Sequence, residues 1–324
     1  MYDIVGLGEL LIDFTPAGKS EAGGALFERN AGGAPPNVLA IAAKLGLKTA
    51  FIGTVGNDDF GKYLKQVLDN IGIETEYLIF TEVAKTTLAF VHLDDKGDRS
   101  FSFYRNPGAD MLLNSTDLNM DIIRSARIFQ FGTLSMTHDP ARTATINAVS
   151  QAKEAGVLIS FDPNLRPSLW NDLKFAREMI LKGMGYADIL KLSNEELEFV
   201  TGTADLEVGS NILYHLYKLP VILVTLGPGG CFYKHGKHTG IIPTYDVQTV
   251  DTTGAGDAFS GAFLYQLIQK SKPLNELVKS EIEQMIDFAN AAGALATIKK
   301  GAIPAMPGIV EIEKCIREMK KLTR

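Results

Sequence analysis

The residues best equipped for chemistry in this chain are Asp251-Thr252-Thr253-Gly254-Ala255-Gly256-Asp257, set directly before a helical run at Ala258–Leu267. Two glycines bracketing a small residue let bare backbone approach a ligand. The helix that follows turns its unpaired N–H groups and positive dipole end toward the same point, which makes an anion site. A carboxylate at Asp257 inside an anion site is unhelpful for binding alone. It makes sense if the anion is a phosphoryl group in transit and Asp257 takes the proton of an attacking hydroxyl. The plain alternative is a glycine turn with Asp257 as an ordinary helix-start residue.

Other polar groups stand where they could complete such a site. Asn30-Ala31-Gly32-Gly33-Ala34-Pro35-Pro36-Asn37 precedes a helix, and its paired glycines admit a small polar ligand. Asp13 is expected at the end of the first strand's run, where parallel sheets bind ligands. Phe101–Asn106 alternates aromatic and polar residues and carries Arg105; Asp162-Pro163-Asn164-Leu165-Arg166 follows a strand. Ser193-Asn194-Glu195-Glu196 reads as a capping box, or as a setting for Glu196 to organise Mg²⁺. Thr225-Leu226-Gly227-Pro228-Gly229-Gly230 fits a nucleotide loop or a hairpin turn equally well, and Asn290 sits on a small-residue helix face. Two nucleotide motifs fail. Gly6-Leu7-Gly8 lacks its third glycine, where Leu11 stands, and Gly18-Lys19-Ser20 has Asp13 where a P-loop opens with glycine. His235 and His238 have no partners for a metal site.

Short apolar runs at Ile4–Leu7, Ala50–Val55, Ile128–Phe131, Leu158–Phe161, Ile189–Leu192 and Val221–Thr225 alternate with helical stretches at Val38–Leu45, Phe60–Asn70, Ala141–Ala155 and Leu173–Lys182. Strands apolar on both faces predict a three-layer α/β/α fold around a mostly parallel sheet. One region breaks the rhythm. Thr86–Leu93 and Arg99–Tyr104 flank Asp94-Asp95-Lys96-Gly97-Asp98 as a β-hairpin, and Phe14–Asn30 supplies a further strand or two. This predicts one domain over 1–324 with a small antiparallel lid drawn from about 12–32 and 85–106.

Composition narrows the partners. With 46% hydrophobic residues the 324-residue chain can bury a large core, and a net charge of −6 without like-charge runs disfavours nucleic acid and anionic membranes. No apolar segment reaches the ~20 residues of a membrane span, and Met1–Val5 lacks the features of a signal peptide. With Cys231 and Cys315 as the two cysteines, a cytoplasmic location is expected.

Taken in chain order, these motifs resemble the ribokinase-like (PfkB) sugar kinases over nearly the whole length. Gly32–Asn37 matches the family's N-terminal signature and Asp251–Asp257 its C-terminal one. Within the family, Phe103–Leu112, Asp162–Arg166 and Val224–Gly227 are similar to the fructokinase subgroup. The resemblance implies ATP-dependent phosphorylation of a sugar's primary hydroxyl, here the 6-hydroxyl of D-fructose. It implies Asp257 as base and the amides of Gly254, Ala255 and Gly256 as the anion hole. Asp13, Gly32, Gly33, Asn37, Arg105, Asp162, Asn164 and Arg166 would hold the sugar. Ser193, Glu196, Thr225, Gly227, Gly230 and Asn290 would lie along the ATP site, with Glu196 reaching Mg²⁺ through water. Asp251 and Thr253, with backbone near Ala296, Lys299 and Gly301, match the family's potassium loop. Two departures stand out: serine at 193 replaces the family's asparagine, and Ala305 stands where ribokinases often offer a cation-binding hydroxyl. The rival readings are a 2-keto-3-deoxygluconate kinase, whose acid would suit Arg105 and Arg166 as a pair, a nucleoside kinase, and a non-catalytic sugar-binding regulator. An exposed lid edge also predicts a homodimer through the lid.

Overall fold

The computed structural model describes residues 1–93 and 99–322. The first third of the chain runs β1 (Ile4–Leu7), β2 (Leu11–Lys19), β3 (Ala25–Gly32), α1 (Ala34–Lys44), β4 (Thr49–Gly56), α2 (Asp59–Ile71), β5 (Ile73–Glu74), β6 (Leu78–Thr81), β7 (Leu88–Leu93) and β8 (Arg99–Tyr104). It continues through α3 (Met120–Ser125), β9 (Ile128–Phe131), α4 (Ala141–Glu154), β10 (Leu158–Phe161), α5 (Leu173–Met184), β11 (Ile189–Ser193), α6 (Asn194–Thr201) and α7 (Leu206–Tyr217). Last come β12 (Val221–Thr225), β13 (Cys231–His235), β14 (His238–Ile242), α8 (Ala255–Lys270), α9 (Lys279–Ala296) and α10 (Ile309–Glu318).

The large sheet has the order β14-β13-β12-β11-β10-β9-β1-β4-β5, with β6 also paired to β4. All its pairs are parallel except β12–β13 and β13–β14. Its central strands are buried on both faces; all eight residues of β4 are. Burial on both faces follows from their largely apolar content and requires a helical layer on each side. One core packs α1, α8 and α9 against the sheet, centred on Leu39, Phe263 and Ile286; the other packs α4, α5 and α6 around Phe129, Phe161 and Leu197. The predicted three-layer fold is therefore the observed one.

The small sheet has the order β3-β2-β7-β8. It differs from the expected antiparallel lid in one respect: β2–β3 and β7–β8 are antiparallel hairpins, but β2 and β7 join them in parallel. The turn predicted at Asp94–Asp98 lies outside the described residues. Pleating gives this sheet two unlike faces. Asp13 and Ala89 are register partners, as are Ala89 and Phe103, which puts all three on the inner face. Phe14 and Phe90 stack on the outer face at 4.9 Å, joined edge-on by Phe27 and Tyr104.

Asp13 also departs from expectation. It is not at the end of β1 but within β2, on the small sheet. The chain leaves β1 at Gly8 and crosses to the second sheet before Asp13 is reached.

Candidate active site

The N-termini of α1 and α8 meet at one end of the large sheet, beneath the inner face of the small one. Asn37 in the first turn of α1 donates from Nδ2 to Asp257 Oδ2 in the first turn of α8, at 2.8 Å. Its other side-chain atom, Oδ1, is buried without a partner. Such an orphaned acceptor beside a cavity suits a ligand hydroxyl. The cavity, about 380 Å³, is lined by Glu9, Asp13, Gly33, Asn37, Asn164 and Arg166 on one side and by Thr252, Gly254, Gly256 and Asp257 on the other. That is the size of a small-molecule site.

A second cavity of about 250 Å³ shares Thr252 and Gly256 with the first. It is mainly apolar and runs from Ala255 and Gly256 past Thr225, Gly227 and Gly230 to Asn290. The segment Thr252–Gly256 thus forms the partition between two cavities. Gly254 caps α8 in a left-handed conformation with φ 75°, which a side chain adopts only with strain. The Ala255 N–H turns back to the Thr252 carbonyl at 3.2 Å. The amides of Gly256 and Asp257, in the helix's first turn, have no intrahelical carbonyl to serve and point the helix dipole at the partition.

Lys191 lies at this junction and lines the first cavity. It rises from β11, donates to Asp162 Oδ2 at 2.9 Å, and would lie 2.9 Å from a Cβ at Gly256. Burial opposes its charge, but Asp162, Glu196 and Asp257 outweigh burial and hold its pKa above the ordinary lysine value. Burial pushes the Asp257 carboxyl up to about 6, with the Asp162 charge adding to the shift and the Asn37 hydrogen bond opposing it. Burial also raises Asp13 and Glu9, each to about 7. Arrayed this way, the site brings together a carboxyl raised to about 6, a cation and helix amides that could face an anion, and polar groups that could meet hydroxyls.

A model of pfkB family carbohydrate kinases matches residues 1–308, leaving α10 and the residues after it outside the match. The chain belongs to the pfkB family of carbohydrate kinases. It is 45% identical to Fructokinase-1 of Oryza sativa subsp. japonica over 315 residues, spanning 96% of each chain. Among solved structures it is similar to a fructokinase with bound ATP from Xylella fastidiosa (TM-score 0.90, 35% identity, 98% of this chain and 99% of that one). It is equally similar to a fructokinase from Vibrio cholerae O395 in a fructose, ADP and calcium ion bound form (TM-score 0.89, 33% identity, 97% and 99%). The chain is therefore an ATP-dependent sugar phosphotransferase of this family.

Against that pfkB frame, several sequence expectations need correction. Arg105 does not line the first cavity. Its guanidinium is buried against Asp110 at 2.7 Å and also donates to Thr137 Oγ1 and the Leu134 carbonyl, so its donors are committed to holding the chain after β8. Asp162 is buried below the cavity floor, where its carboxylate accepts from Lys191 and from the Asn164 N–H. Gly32 ends β3 beside the Asp13 carboxylate and is likewise not a lining residue. Ser193 is a true N-cap, with Glu196 returning the bond in a capping box. Glu196 Oε1 also accepts from the Leu165 N–H at 2.6 Å, and burial raises its pKa. Asp251 bridges the Thr253 and Gly301 amides with its two oxygens, at 2.7 and 3.0 Å, which closes the loop predicted for potassium. Ala296 ends α9 and Lys299 follows it, while Ala305 is buried without a hydroxyl to offer. Among the described residues, no cluster of three or more His, Cys, Asp or Glu side chains could hold a metal ion.

Two charged lining residues, Glu9 and Lys191, carry no candidate role in the sequence. Lys191 had a legible signal, a lone charge inside an apolar strand, which is rarely left unpaired. Glu9 accepts the Ala34 N–H at 2.8 Å and so fixes the start of α1.

A buried carboxyl raised to about 6 at this position predicts a pH dependence. Acting as a base, Asp257 would have to be ionised, so kcat/KM should fall as the pH drops through about 6, with Asp13 and Glu9, raised to about 7 on the same cavity, adding a shallower fall above that. Steady-state kinetics from pH 5 to 8 check this, and the part of the fall centred near pH 6 should be missing from the residual activity of Asp257→Asn. If that part persists, it belongs to another group.

Proposed function

We propose that the protein transfers the ATP γ-phosphoryl group to the 6-hydroxyl of D-fructose. The observation that carries this reading is the position of Asp257, held by Asn37, at a glycine partition between a polar cavity and an apolar one. The polar cavity takes the sugar: Asp13, Asn164 and the free Oδ1 of Asn37 suit neutral hydroxyls. Asp257 Oδ1 or Oδ2 receives the proton of the attacking hydroxyl, while Lys191 and the Gly256 and Asp257 amides balance charge on the phosphoryl oxygens. The apolar cavity takes the nucleotide base, between the Gly227–Gly230 turn and Asn290. Bound Mg²⁺ would neutralise phosphate charge; with both Glu196 oxygens accepting backbone amides, a water-mediated approach to it fits best. The Asp251 loop, with backbone near Ala296, Lys299 and Gly301, is the corresponding place for potassium. Residues 1–324 are read as one kinase domain with the small sheet as a lid that excludes water, the competing acceptor.

The choice of fructose over a sugar acid rests on charge. A carboxylate clamp needs Arg105 and Arg166 together, and Arg105 is committed to Asp110. Three carboxylates, Glu9, Asp13 and Asp257, face two cations, Arg166 and Lys191, around the cavity. With Glu9 and Asp13 partly protonated near neutrality the lining is close to charge balance, and without Arg105 it lacks the two-arginine clamp that an acidic sugar needs. We therefore expect kcat/KM for D-fructose to exceed that for 2-keto-3-deoxygluconate by at least ~10-fold. A coupled ADP-release assay over both substrates checks this, with ¹³C NMR of the product locating the phosphate. Preference for the keto acid would overturn the fructose reading; no ADP release with any sugar would overturn the catalytic one.

The aromatic outer face of the small sheet, where Tyr104 is 68% and Phe27 41% exposed, supports a homodimer paired through the lid. A monomer in sedimentation at micromolar concentration would remove that part of the proposal.

A further inference from the structure

Residues 320–322 fold back onto the apolar cavity. The Leu322 N–H donates to the Thr244 carbonyl at 2.8 Å, and the Asp246 N–H to the Lys320 carbonyl at 2.9 Å. Between them Tyr245 and Lys321 form an antiparallel bridge. Side chains fasten the same junction. Lys321 Nζ lies 2.8 Å from Asp287 Oδ1, the Tyr245 hydroxyl donates to that oxygen at 3.0 Å, and the Lys321 ammonium sits 5.6 Å from the Tyr245 ring centre.

This anchoring has a result at the cavity. Asp287 is one turn ahead of Asn290 on α9, and Asn290 Nδ2 holds the Ile242 carbonyl at 2.9 Å. The segment running from Ile242 through Asp246 is thereby gripped by α9 on one side and by the tail on the other. Leu322, half-buried, becomes part of the wall of the apolar cavity, together with Thr244, Tyr245 and Val247. No bond ties it to Gly256 or Lys191, the groups proposed for phosphate. An apolar side chain on this side suits the flat face of a base, not a triphosphate.

We propose that residues 320–322 are a strap that completes the nucleotide cavity, with Leu322 as a positioning residue for the base of ATP. The strap lies outside the stretch matched by the pfkB family model. The proposal rests on the reading that the apolar cavity takes ATP.

The test compares the intact chain with Leu322→Ala, Leu322→Asp and a chain ending at Met319. Two ligands are titrated by calorimetry, ATP and inorganic tripolyphosphate, which carries the charge without the base. Leu322→Ala should weaken ATP binding at least about fivefold, the scale of one partly buried leucine contact, and Leu322→Asp and the truncation should weaken it more. Tripolyphosphate affinity, the KM for fructose and kcat at saturating ATP should stay within about twofold. Unchanged ATP affinity in Leu322→Ala overturns the strap, as does an equal loss for tripolyphosphate, which would mean general loosening. Should the truncated chain fail to fold, the two point variants decide alone. If the intact chain binds tripolyphosphate but not ATP, the nucleotide reading of the cavity fails and the strap with it.

Discussion

Replacing Asp257 by asparagine should lower kcat by roughly 10²–10⁴, the usual worth of a positioned base, while fructose and ATP still bind. The asparagine side chain has the same size, and its carbonyl can accept the Asn37 Nδ2 hydrogen that Asp257 Oδ2 accepts at 2.8 Å. What it cannot do is take a proton. In the wild-type chain burial lifts the carboxyl to about 6, close enough to working pH for a base that is both ionised and avid. The replacement also removes a buried negative charge that helps hold Lys191 protonated, but Asp162 and Glu196 remain to do so. Steady-state turnover, with calorimetry for both ligands, separates chemistry from binding. Near-wild-type kcat would mean that another group accepts the proton.

Gly256→Val should cut kcat/KM by at least ~100-fold and disturb folding less than catalysis. The cause is not a backbone conformation that only glycine adopts. Gly256 is helical; Gly254 is the one with positive φ. At 256 the obstacle is space, because an added Cβ would lie 2.9 Å from Lys191 Nζ. That ammonium cannot step aside without stranding the buried carboxylate of Asp162, an expensive loss. Valine's two methyl groups would fill the room that the migrating phosphoryl group needs, at a packing cost of about 1–3 kcal/mol. Circular dichroism melting alongside kinetics distinguishes the two effects. A folded variant with normal turnover would move the anion site elsewhere.

How far the sequence speaks depends on the range of the interaction. Six strands of the large sheet were legible within a residue or so at each end, because burial on both faces leaves a mostly apolar run. Asp257 and Asn37 stood in local motifs that marked them as candidates, although nothing local said that they touch each other. Long-range pairing was not legible. That β2 and β7 join in parallel, and that Asp13 leaves the large sheet altogether, depends on partners far along the chain. Arg105 was misread for a simpler reason: its partner Asp110, five residues on, carries the opposite charge and claims it first. Lys191 was visible yet overlooked, since a strand scan attends to the apolar residues around it. The tail's return to Thr244 leaves no local signal at all.

Asp13 and Phe14 are sequence neighbours with opposite surroundings. One lines the sugar cavity; the other stacks in the aromatic layer on the outside. Only the alternation of β2 keeps them apart, so a single residue inserted or deleted between Leu10 and Asp13 would exchange them. A phenyl ring would then face the sugar and a carboxylate would be stranded among aromatics. The irregularity in the β2–β3 pairing falls between Pro16 and Gly18, past Asp13 on the side toward the hairpin tip. Length changes in that tip are thus absorbed before they reach the carboxylate. Natural variants should therefore tolerate longer or shorter hairpins there, yet hold the count from β1 to Asp13 fixed.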